Sequence, residues 1–165
     1  MGNEELRMWK RRGVAPRVLP VRSSILNSQF SIPEYPAPMA IRTELTLRLQ
    51  NSPGTLARVC QMIADERMNI VALNLASPLV ARMVVDNPVH AAAILREHNY
   101  QVEEREVIYT TTANDPGALL RITRLIADAG INVEYLYATA LEGQSMASIV
   151  VGVPDAERAS AAAGV

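Results

Sequence analysis

The stretch NSPGTLARVCQMIADERMNI at residues 51–70 decides the fold, because the chain writes it again as NDPGALLRITRLIADAGINV at residues 114–133. With Pro53 laid on Pro116, a shift of 63 positions, Asn51, Pro53, Gly54, Leu56, Arg58, Ile63, Ala64, Asp65 and Asn69 all meet their own kind. A repeat of that length is a whole supersecondary unit, and two copies point to a closed pseudo-symmetric pair rather than a solenoid. Units of about 60 to 65 residues lie near the lower limit of independent stability, so each is expected to lean on the other.

Upstream of the first copy, TELTLRLQ alternates: Leu45, Leu47 and Leu49 share one face, and Glu44, Thr46 and Arg48 share the other. That is a half-buried strand. Pro53 and Gly54 turn the chain, with Pro53 suited to the first helical turn because it has no N–H to lose there. Leu56, Val59, Cys60, Ile63 and Met68 then recur at helical spacing, and Asn69 leads into a second strand carrying Ile70, Val71, Leu73 and Leu75. A third strand is expected at 81–85, a helix at 88–97 and a fourth strand at 101–107. The second copy repeats the order: strand 108–113, helix 118–129 stopped by Gly130, strand 132–141, a turn at Glu142 and Gly143, strand 146–153, helix 155–163. There the chain ends, so its second unit lacks a final strand. Without one, its first strand presents an edge that another segment must cover unless the unit is truncated.

Strand, helix, strand, strand, helix, strand is the ferredoxin-like sandwich, an α+β fold with an antiparallel sheet and its helices on one face. The domain division is therefore a leader over 1–40, a first domain over 41–107 and a C-terminally truncated second domain over 108–165. The leader is basic and closes on Pro33, Pro36 and Pro38, with a short strand expected at 17–21 and Met39 as an alternative start of translation.

Composition narrows the class. The chain is 49% hydrophobic with 4% aromatics, so its cores are aliphatic. Cys60 is the only cysteine, which excludes an intrachain disulfide and a thiolate zinc cluster within one chain and fits a reducing cytoplasm. No run approaches the ~18 apolar residues of a spanning helix, so no membrane partner is expected. Residues 1–42 hold seven basic and three acidic side chains, a balance of +4, and the remainder holds nine and fourteen, a balance of −5. The two repeats thus have no basic footprint for nucleic acid.

The loop between first strand and helix is where chemistry is expected. An Asn side chain can accept from an ammonium and donate to a carboxylate, so Asn51 and Asn114 suit a small zwitterion. The free amides at a helix start attract anions, and Gly54 or Gly117 lets a ligand approach the backbone. Asn is also a good turn and capping residue, which is the plain structural alternative. Asn69 and Asn132, at the start of each second strand, lie a helix length away from their own loops. If the two units pair antiparallel through their second-strand edges, Asn51 faces Asn132 and Asn114 faces Asn69 across the interface.

These residues carry a resemblance. From about residue 41 onward the chain resembles the ACT domain, and specifically stand-alone proteins made of two ACT domains in tandem. The resemblance rests on Asn51, Pro53, Gly54 and Leu56 with Asn69 and Ile70, and on Asn114, Asp115, Pro116, Gly117 and Leu119 with Gly130, Ile131, Asn132 and Val133. It implies a regulatory module that binds an amino acid or similar metabolite between domains, with Asn51, Ser52, Gly54, Asn69, Asn114, Asp115, Gly117 and Asn132 as the ligand-binding set. Serine-sensing members place asparagines at the positions of Asn51, Asn69, Asn114 and Asn132, together with a histidine where this chain has Leu49 and Thr112. The second copy also has Asp115 where the first has Ser52, so the two sites need not be equal.

Catalysis has little to stand on. His90 and His98 fall in a helix remote from the Asn loops, Asp65 and Asp128 end helices without a paired carboxylate, and Asp86 and Asp155 sit where turns and caps belong. No catalytic residue, metal ligand or cofactor is expected. RNA-recognition modules of this topology need aromatics on the exposed strands, and here Tyr109, Tyr135 and Tyr137 are confined to the second unit. The expectation is a cytoplasmic, homodimeric, non-enzymatic regulator that binds an amino acid and acts on its own domain pairing, its oligomeric state or a partner enzyme. An interaction module without a metabolite is the alternative.

Overall fold

A computed structural model describes residues 39–76 and 79–162; the leader and the short strand expected at 17–21 lie outside them. The elements run β1 (Ala40–Arg48), α1 (Thr55–Asp65), β2 (Ile70–Ala76), β3 (Val80–Val85), α2 (Pro88–Glu97), β4 (Val102–Ala113), α3 (Ala118–Asp128), β5 (Tyr135–Ala140), β6 (Met146–Gly152) and α4 (Ala156–Ala162). The two repeats, each strand, helix, strand, strand, helix, form an α+β, ferredoxin-like pair, as the alternation and helical spacing imply.

Their strands join in one six-stranded antiparallel sheet of order β2-β3-β1-β4-β6-β5. The joint is β4. Sequence alternation places one strand at 101–107 and another at 108–113, whereas a single 12-residue strand runs through that point. Its first part pairs with β1, from Leu47 opposite Val102 to Ala40 opposite Tyr109, and its last part pairs with β6, from Ile108 opposite Val151 to Ala113 opposite Met146. Glu106, Val107, Ile108 and Tyr109 contain no glycine, proline or asparagine to break it.

The place of a fourth strand in the second repeat's sheet is occupied by the first repeat. The start of β1 lies where that strand belongs, with Ile41 opposite Ile108 and Arg42 opposite Val107. Met39 is 1% exposed and packs with Ile108, Ile122 and Ile126 of the second repeat. Its carbonyl accepts a hydrogen bond from Ser160 Oγ at 2.7 Å. The edge that the sequence leaves open is thus covered by the first repeat.

The helices cover one face of the sheet. Leu45, Leu47 and Met83 pack against Val59 and Ile63 of α1 and Leu95 of α2, while Ile149 and Val151 pack against Ile122, Ile126 and Ala159 of α3 and α4. Asn87 caps α2, accepting from the His90 amide at 3.2 Å, with Pro88 at the first helical position. Asp155 caps α4 through the Arg158 amide at 2.8 Å.

The opposite face holds what alternation alone misses. Glu44 is on that face as expected, yet it is fully buried. The sheet curls so that β5 reaches β1 past β6 and β4: the Tyr137 hydroxyl donates to Glu44 Oε1 at 2.8 Å, and the Tyr135 hydroxyl donates to Oε2. Arg82 Nε lies 4.0 Å from Glu44 Oε2, and its guanidinium stacks 4.5 Å above the Tyr135 ring. Burial and, after it, the Glu44 carboxylate hold both phenols protonated well above the ordinary tyrosine range. The Tyr135 ring lies flat on Gly152, its partner in the β5–β6 ladder.

Candidate functional site

The loop between β1 and α1 is built by a turn. The Thr55 amide donates to the Ser52 carbonyl at 3.3 Å across Pro53 and Gly54, and Gly54 has φ 84° and ψ −6°. Those angles are the third position of a type II turn, which favours glycine, while Pro53 fits the second. Asp115, Pro116, Gly117 and Ala118 repeat the device, with an Ala118 amide to Asp115 carbonyl bond of 3.2 Å and Gly117 at φ 89°. Pro53 therefore belongs to the turn and not to the first turn of helix, which starts at Thr55. A Cβ on Gly54 or Gly117 would meet nothing within 4 Å, so backbone angle is what requires glycine here.

The two copies of the loop then diverge. In the first, a groove of about 210 Å³ is lined by Leu49, Asn51, Ser52, Gly54, Leu56 and Leu75, among others. Asn51 is exposed, and its amide makes no hydrogen bond to another described residue. Ser52 Oγ and Thr55 Oγ1 are 2.8 Å apart. In the second copy the Asn114 amide donates to the carbonyls of Leu141 at 3.2 Å and Gln144 at 3.1 Å, closing the β5–β6 turn. Asp115 accepts from the Arg121 guanidinium at 2.8 Å. The same letter thus does different work at 51 and 114.

Asn69 and Asn132 are both exposed and stand just before β2 and β5. Eleven helical residues, roughly 16 Å, separate the Asn51 loop from Asn69. The expectation that the two second-strand edges of one chain meet is overturned by the sheet order, because β2 and β5 are its two outermost strands. The repeats join instead through β1 and β4, which leaves both second strands facing outward. Asn51 and Asn132 are not brought together within the chain, and neither are Asn114 and Asn69. Along β2, Val71, Leu73 and Leu75 are exposed, Leu75 by 44%.

Of the two histidines, His90 sits apart from the loops, whereas His98, expected to be remote from them, lines a pocket together with Ser52 and Thr55 of the first loop. His90 Nε2 meets Glu66 Oε2 at 2.9 Å on the surface, and His98 Nδ1 bonds the Ile94 carbonyl at 2.9 Å. Cys60 is a half-buried free thiol. Among the described residues no group of His, Cys, Asp and Glu could hold a metal ion, and no helix is long and apolar enough to cross a membrane.

A family model of the ACT domain pair matches residues 39–162, from the residue before β1 to the end of α4. The chain belongs to the ACT domain pair family. A protein of Bacteroides thetaiotaomicron has the same fold at 24% identity and a TM-score of 0.68, over 76% of this chain and 88% of that one. The regulatory subunits of aspartate kinase from Thermus flavus and, in a ligand-free form, from Thermus thermophilus share it at 16% and 17% identity, with TM-scores of 0.55 and 0.56. Each likeness covers 76% of this chain, and 94% and 95% of the respective subunit. No sequence relative of curated function matches. The aspartate kinase subunits that share this fold are regulatory by description.

Proposed function

We propose that this ACT pair is a cytoplasmic, non-catalytic regulator that binds a free amino acid in the groove beside Asn51, Ser52 and Gly54, closed by Asn69 of a second copy. The observation that carries this reading is the contrast between the two loops. Asn51 keeps its amide for a ligand beside a groove, whereas Asn114 uses its own on the β5–β6 turn. An amide can meet both ends of a zwitterion, and the first amides of α1 lack a side-chain cap. Asn114, Asp115, Gly117 and Asn132 then form the weaker or purely structural site.

Dimerisation supports closure of the groove. The β2 edge exposes Val71, Leu73 and Leu75, and pairing two such edges about a twofold axis is self-complementary. In that arrangement the start of one β2 approaches the loop beyond the end of the other. Because β4 is continuous, the two repeats of one chain cannot re-pair with each other, so occupancy is read through assembly or through a partner enzyme. The exposed leucines also favour a second reading, an interaction module that takes no metabolite.

A thermal-shift screen against the twenty amino acids decides between them. A ligand at ~100 times its dissociation constant adds about 2.7 kcal/mol to the folded state. We expect one or a few amino acids to act, Asn51→Ala and Asn69→Ala to abolish the response, and Asn114→Ala to leave most of it. Full affinity in Asn51→Ala sinks the loop assignment; no response in a folded sample that self-associates favours the interaction module.

A further inference from the structure

The first repeat has a larger pocket on the other flank of the same loop, between the end of β1, the start of α1 and the turn from α2 to β4. Its volume is about 490 Å³, and its lining includes Arg48, Arg58, Gln50, Ser52, Thr55 and Gln101 with no acidic side chain. Neither guanidinium forms an ion pair with another described residue. We propose that this pocket binds the oxyanion of a small molecule, a phosphoryl or carboxylate group held by Arg48 and Arg58.

The second repeat supplies the internal comparison. Under the 63-residue shift Arg58 becomes Arg121 and Ser52 becomes Asp115, and there the Asp115 carboxylate sits on the Arg121 guanidinium at 2.8 Å. That pair marks where an oxyanion rests relative to the turn. The first repeat keeps the arginine, replaces the carboxylate with the Ser52 hydroxyl, and adds a second cation, since Arg48 stands where the other repeat has Thr111. One repeat carries its own anion, and the other is built to receive one.

The remaining donors agree in kind. Gln50 and Gln101 bring primary amides and the first amides of α1 lack a side-chain cap, while the Ser52 hydroxyl bonds that of Thr55, which in turn donates to the Ser52 carbonyl at 3.0 Å. Guanidinium forks match phosphate and carboxylate geometry through paired N–H donors, which is why two of them select an oxyanion over chloride. Both arginines are exposed, so binding weakens as ionic strength rises. This site does not rest on the amino-acid reading: Arg48, Arg58 and Gln101 line this pocket and not the groove beside Asn51.

The test is a titration of the full chain with inorganic phosphate and, separately, with malonate, at constant ionic strength balanced by chloride. Melting temperature and calorimetric heat are read together. We expect saturable stabilisation beyond the chloride control, and the stronger of the two arms tells whether the preferred oxyanion is a phosphoryl or a carboxylate group. Ser52→Asp places a carboxylate in a turn that already tolerates one at Asp115, so it folds and weakens binding at least tenfold. Arg58→Gln gives the same loss, and Arg121→Gln and Asn51→Ala leave the affinity within twofold. The proposal is overturned if neither anion saturates, or if Ser52→Asp and Arg58→Gln both bind as the wild type does.

Discussion

Gly152→Ala isolates one contact and should be costly. Gly152 is not among the glycines with positive φ, so an alanine is unstrained in its backbone there. The added methyl, however, would lie 2.6 Å from Cε2 of Tyr135 and nearer still to Cζ and Cε1. Ordinary carbon contacts are about 3.5 to 4.0 Å, so the ring has to lift by roughly 1 Å. It cannot lift freely, since its hydroxyl is tied to Glu44 and its upper face carries Arg82. Overpacking of this kind costs about 1–3 kcal/mol, and loss of the bond to a charged acceptor about 1.5–3 more, for a total of about 2.5–6 kcal/mol. Urea unfolding at pH 7 measures it as a lower midpoint at unchanged slope. In a Tyr135→Leu background the same substitution should cost under about 0.5 kcal/mol, which makes the coupling energy at least 2 kcal/mol. Equal costs in both backgrounds, or a change below about 0.5 kcal/mol in the wild type, would refute the reasoning.

Three further outcomes follow from the same geometry. Glu44→Ala leaves two half-buried phenols and Arg82 without their shared acceptor and should destabilise by about 3 kcal/mol, read by denaturant titration; a change within 0.5 kcal/mol would show that the cluster contributes nothing. Tyr135 and Tyr137 are held protonated above the usual tyrosine range, so their contribution is complete below the unfolded value of about 10 and is lost as pH rises past it. Unfolding free energies from pH 8 to 11 should fall more steeply in the wild type than in the Tyr135→Phe/Tyr137→Phe double variant, and parallel curves would contradict this. Gly54→Ala forces an alanine to φ 84° and should cost about 1–2 kcal/mol by thermal melting, with Gly117→Ala close behind at φ 89°; a neutral change at either would mean that the turn re-forms another way.

Which parts of this molecule were legible follows from how far each signal travels along the chain. The repeat, the helices over Val59 and Ile63 or Ile122 and Ile126, and the turn at Pro53 and Gly54 are local patterns, and each is written within about fifteen residues. Alternation through Val107 and Ile108 reads the same whether one strand passes there or two abut, so the joint between the repeats left no mark. Glu44 looks like a solvent-side residue because its cover comes from Tyr135 and Tyr137, some ninety positions away. The matched asparagines misled in the opposite sense. Identity at 51 and 114 suggests a shared role for the two amides, but the partners of Asn114 are the carbonyls of Leu141 and Gln144, and carbonyls have no letter. The unequal pair Ser52 and Asp115 was the more telling difference.

The shared strand has a consequence for how the protein is made. β1 gives Leu45 and Leu47 to one core while Met39, the residue just before it, packs in the other, and the bond from Ser160 to Met39 spans 121 positions. At synthesis rates of about 5–20 residues per second, that interval takes roughly 6–24 s. Once Val107 has been translated the first repeat can complete its own sheet, with the leading end of β1 still unmatched. That projecting end is then a template: the chain emerging after Val107 lays its backbone along a strand already held in register, and the second repeat is primed by the first rather than nucleated afresh.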